Sequence, residues 1–75
     1  MRKWFVTWDR PEYKEWASKN STGYELLIIR REPKQYFCVK ANLTLGETGL
    51  PGFKVLKEKR FKTKQDAMKQ ISSWQ

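Results

Sequence analysis

The sequence predicts a small α+β domain: two layers, an antiparallel sheet of three to four strands with a C-terminal helix packed on one face, and a short helix as one option after the first strand. Three observations carry this. Apolar and polar residues alternate over residues 36–45, the period-2 pattern of a half-covered strand. Thr63 with Asp66 three residues on has a capping-box form, ahead of Ala67, Met68, Ile71 and Trp74 at helical spacing. Finally, 75 residues with one cysteine and no histidine offer neither a disulfide nor a zinc site, so the single domain 1–75 must rest on a hydrophobic core.

Lys3 to Trp8 is short and rich in β-formers, which reads as a strand with Trp4, Val6 and Trp8 on one face and Phe5 and Thr7 on the other. Residues 9–20 admit two readings. Pro11 and Glu12 suit a first helical turn, and Tyr13, Trp16 and Ala17 then share a helical face. The competing reading is an extended segment ending in the turn at 20–23. Residues 24–31 contain four consecutive aliphatics, two of them β-branched, as expected of a central strand covered on both faces. Glu32-Pro33-Lys34-Gln35 is a turn.

In residues 36–45, Phe37, Val39, Ala41, Leu43 and Leu45 form the expected core face, while Tyr36, Cys38, Lys40, Asn42 and Thr44 form a mixed one. Residues 46–52 hold three glycines and a proline, a loop in which Leu50 is either tucked down or an exposed apolar tip. The last strand runs from Phe53 to Lys62, with Val55 or Leu56 inward, and leads into the capped helix.

Catalysis is not expected. With no histidine, no nucleophile elbow, no glycine-rich phosphate loop and one strand-borne thiol, no catalytic residues, cofactor or metal are assigned. No apolar run approaches the length of a membrane span, and no secretory leader is recognisable, so the chain is read as cytoplasmic with no membrane partner. A single cysteine suits a reducing compartment.

Charge is the strongest functional signal. Sixteen Lys or Arg face eight acids, a net charge of +8. Residues 54–69 alone carry seven basic residues against two acids, a local +5. Such a concentration points to a polyanionic partner, DNA or RNA; a solvated face that serves solubility is the plain alternative. Basic and aromatic residues interleave at Tyr36/Lys40, Phe53/Lys54 and Arg60/Phe61/Lys62. The candidate contacts are Lys40, Lys54, Lys57, Lys59, Arg60, Lys62 and Lys64, with Tyr36. The rival class is a protein-interaction module, of the kind phages use as adaptors or inhibitors of host proteins. It would grip an acidic protein surface through exposed aromatics or Leu50-Pro51.

The run Arg60-Phe61-Lys62-Thr63-Lys64-Gln65-Asp66-Ala67 resembles the end of the N-terminal arm-type DNA-binding domain of tyrosine integrases from phages and conjugative transposons, whose strand-to-helix junction has the form F-x-T-K-x-x-A. The resemblance implies a three-stranded sheet laid in the DNA major groove and followed by a helix. It would put Lys40, Lys57, Lys59 and Arg60 against DNA and Lys62 and Lys64 on phosphates near the helix start. The integrase catalytic domain has no counterpart here. The resemblance therefore implies a non-catalytic DNA-binding relative, an accessory or regulatory factor of a phage or mobile element.

Overall fold

Residues 3–45 and 51–75 are described by the computed structural model. They form β1 (Phe5–Arg10), β2 (Tyr13–Lys19), β3 (Gly23–Glu32), β4 (Gln35–Leu45), β5 (Pro51–Phe61) and α1 (Lys64–Trp74). The strands make one antiparallel sheet in the order β1-β2-β3-β4-β5, each paired with its neighbour in sequence. The expected sheet of three to four strands is thereby corrected to five, and no helix follows the first strand. The added strand is β2, which lies between β1 and β3. Trp16, Ala17 and Ser18 are buried in succession, Trp16 in the helix-side cluster and Ala17 in the cluster on the opposite face. Buried residues on both faces leave no alternation, and such apolar spacing can imitate a helix.

Two-residue connections set the register. Pro11-Glu12 joins the Arg10–Tyr13 pair and Pro33-Lys34 joins the Glu32–Gln35 pair. The Arg31 amide donates to the Glu12 carbonyl at 2.8 Å and ties the first turn to β3. Gly23 is demanded by close packing: a Cβ there would lie 2.1 Å from the Leu43 carbonyl oxygen on β4.

Thr63 caps α1, its hydroxyl accepting from the Asp66 amide at 3.2 Å. Ala67 and Ile71 then press onto the sheet against Trp16, Leu27, Ile29 and Cys38, with Trp4, Tyr36, Phe61, Met68 and Trp74 packed around them. Burial pushes the Cys38 thiol up to about 11. A second apolar cluster of Ala17, Leu26, Val39 and Ala41, flanked by Tyr24, Ile28, Phe37 and Leu43, lies on the other face. No element of the described residues covers it.

The helix therefore sits on the mixed face of β4, over Tyr36 and Cys38, and the strictly apolar face is the uncovered one. This reverses the expected assignment of the core face. Two irregularities in register complete the picture. Thr7 is an extra residue in β1, which separates Trp8 from Trp4 and Val6. Leu56 is an extra residue in β5 opposite Lys40/Ala41. Neither Val55 nor Leu56 points into the core, each being 46% exposed. Leu50 lies outside the described residues. Among the described residues no helix is long and apolar enough to cross a membrane.

Candidate nucleic-acid interface

Pairing divides the basic residues of β5 between the two sheet faces. Lys54, Lys57 and Lys59 stand opposite Asn42, Lys40 and Cys38, on the helix-bearing side. Lys54 and Lys57 are an odd number of residues apart, and the extra Leu56 is what brings them to the same face. Lys62 follows the strand end and Lys64 opens the helix. All five lysines are exposed, and among the described residues no carboxylate lies within ion-pair distance of any of them.

Folding does not ask for this arrangement. Lys57 stands directly opposite Lys40, a like charge that is offset by Glu25 rather than by Lys57. Lys62 and Lys64 crowd the helix N-terminus, where the macrodipole is already positive and only Asp66 compensates.

The remaining sequence candidates are placed differently. Lys40 Nζ lies 3.1 Å from Glu25 Oε1, with both side chains largely covered, so its charge is matched locally. Tyr36 is half-buried and packs on the helix-side cluster. Arg60 points to the uncovered face, where its guanidinium stacks 4.2 Å from the centre of the Phe37 ring and its Nε lies 3.6 Å from Glu32 Oε1.

That uncovered face carries a set of residues the sequence reading did not bring together. Cross-strand pairing aligns Arg10, Tyr13, Arg30, Phe37 and Arg60 in one row across all five strands, guanidinium alternating with ring. Arg30 also lies over Phe37, at 5.5 Å, and Arg10 lies 6.0 Å from the ring of Trp8. The Tyr13 hydroxyl donates to Glu15 Oε1 at 2.9 Å, and Thr7 donates to the same carboxylate. Burial first, then this hydrogen bond, pushes the Tyr13 phenol up to about 12. The next row holds Trp8, Glu15, Ile28, Val39 and Glu58, and beyond it lie Phe5, Ala17, Leu26, Ala41 and Val55. Phe5 meets Tyr24 edge to face, with ring centres 6.5 Å apart.

Among the described residues no three His, Cys, Asp or Glu gather where they could hold a metal ion. No protein-family model, curated protein or solved structure matches the chain.

Proposed function

We propose that this protein binds nucleic acid in the cytoplasm, without catalysis, by sequence-independent attraction of phosphates to the β5 edge and the start of α1. The observation that carries this reading is the group of five exposed lysines, Lys54, Lys57, Lys59, Lys62 and Lys64, held together with no carboxylate in ion-pair range among the described residues. A surface kept only for solubility is usually built with both signs interspersed. Here the one acid of the strand, Glu58, pairs in register with Val39 and so faces away from the lysines. The likeness of residues 60–67 to the integrase arm-type domain points the same way, toward DNA.

Phosphate-driven binding falls steeply with salt as counterions are released. Affinity for a labelled duplex should drop sharply between about 50 and 200 mM salt. The combined Lys57→Glu, Lys59→Glu and Lys62→Glu variant should flatten that slope by about 0.9 for each phosphate no longer neutralised. No binding of DNA or RNA at the lower salt would end the nucleic-acid reading. Unchanged affinity in the triple variant would show that the site lies elsewhere.

A further inference from the structure

The uncovered sheet face has a chemistry of its own. We infer that it is a stacking platform for single-stranded nucleic acid, with bases on the rings of Trp8, Tyr13 and Phe53 and phosphates on the guanidinium row of Arg10, Arg30 and Arg60, two of which Phe37 holds in place. This deepens the nucleic-acid reading above and rests on it.

Three features favour this occupant. Rings are presented outward: Trp8 is 53% and Phe53 57% exposed, on a face that no second layer of the described residues covers. Such rings accept any base, since every base has a π-face. The row that holds Tyr13 carries three guanidiniums at alternate strands, roughly 10 Å apart, so it spans roughly 19 Å. That suits about four nucleotides, the lower end of single-strand site sizes. The Glu32 carboxylate reaches Arg30 and Arg60 only at 3.6 Å, and a guanidinium with five donors keeps others for phosphate. The edge strand connects the two surfaces, because β5 turns Arg60 to the platform and Lys57 and Lys59 to the opposite face. A strand leaving the platform would meet the lysines on rounding that edge.

A second copy of the chain suits this face less well. The apolar residues of this face are interrupted by Glu15 and Glu58, which share a row with Trp8, Ile28 and Val39. Extending the contact to the whole face would bury Arg10, Arg30, Arg60, Glu15 and Glu58, a heavy desolvation penalty.

The test uses the full chain at about 50 mM salt with labelled 12-mer oligothymidylate and a 12-base-pair duplex, read by anisotropy and by tryptophan fluorescence. The single strand should bind about tenfold or more tightly than the duplex. It should quench fluorescence that Trp8→Phe removes, because Trp8 lies on the platform while Trp4, Trp16 and Trp74 lie on the helix side. Phe53→Thr and Arg30→Gln, checked by circular dichroism for native folding, should each weaken single-strand binding about five- to a hundredfold and leave duplex binding within about twofold.

Equal affinity for both forms with no effect of Phe53→Thr would overturn the platform while phosphate binding stands. Single-strand binding that survives reversal of Lys57, Lys59 and Lys62 yet fails in Phe53→Thr would support the platform and move the phosphate site from the lysines to the guanidinium row. Failure of both ligands to bind ends both proposals. In that case, concentration-dependent dimerisation lost in Phe53→Thr would identify the face as a self-association surface instead.

Discussion

The two faces of this sheet are made by the same strands and stabilised in different ways. On the helix side, Leu27, Cys38, Ala67 and Ile71 are excluded from water by a second layer. On the other side, Ala17, Leu26, Val39 and Ala41 reach nearly the same burial with no layer above them. Tyr24, Ile28, Phe37 and Leu43 pack against them from the side, and Phe5 and the Arg30 and Arg60 guanidiniums lie in turn against Tyr24 and Phe37. The difference teaches where stability and function separate. Removing a side chain between layers leaves a cavity, whereas removing one from a lateral cover exposes a surface that is already wet.

The sharpest way to break this contrast is Leu27→Ala. Leu27 is fully buried beneath α1, and truncating it should destabilise the fold by about 2–5 kcal/mol in urea or thermal unfolding. In a domain this small that approaches the whole stability. A loss below about 1 kcal/mol would mean that the helix packs more loosely than its burial implies. Gly23→Ala comes next, because its Cβ would meet the Leu43 carbonyl at 2.1 Å. Forcing β3 from β4 there should destabilise by about 1–3 kcal/mol, with amide exchange rising first at the Gly23–Thr44 end of the ladder.

Alkaline pH probes both faces. The Cys38 thiol, under the helix, is raised from its ordinary 9.0 to about 11 by burial. The Tyr13 phenol, on the open side, is raised from 10.0 to about 12 by burial and by its bond to Glu15. Each group loses its proton more readily in the unfolded chain. Stability from these groups is thus complete below about pH 9 and falls as pH rises through 11 and toward 12. Urea midpoints at pH 8, 10 and 11 should decline, and Cys38→Ala should abolish the first part of that decline. A midpoint flat to pH 11 would contradict the protected thiol.

The sequence was legible where one physical rule dominates a segment. The Thr63 cap, the Ala67–Ile71 stripe and the alternation in β4 follow from hydrogen bonding and period. Strand β2 was not legible, because apolar and charged residues mix on each of its faces, Glu15 beside Ala17 on one and Lys14 beside Trp16 on the other, so no polar face betrays its period. Nor could period 2 tell which face of β4 would receive the helix. Alternation shows that two faces differ, and the small Ala67 and Ile71 found their match over Cys38 rather than over the larger Phe37. At the candidate site, the exposure of the β5 lysines could be read from their chemistry. Their grouping could not, because it depends on the extra Leu56. The row of Arg10, Tyr13, Arg30 and Phe37 required knowing that both proline turns are two-residue connections and that the turn after β2 pairs Lys19 with Tyr24, since a longer loop would shift every cross-strand neighbour.

Smaller effects refine the contrast. Thr63→Ala removes the acceptor of the Asp66 amide and should cost about 1 kcal/mol. The loss should appear on the helix side alone, so single-strand affinity should change only as far as the native fraction does.

Phe53→Thr should have the least effect on stability. The ring is more than half exposed on an edge strand, and a β-branched replacement keeps strand propensity, so unfolding should shift by no more than about 0.5 kcal/mol. That small number is what gives the substitution its value. A substitution that barely alters folding lets any change in single-strand affinity be read as loss of contact with the ligand. If denaturation instead shows a loss of about 2 kcal/mol or more, the size of a core truncation, Phe53 belongs to the core despite its exposure, and the two faces differ in degree rather than in kind.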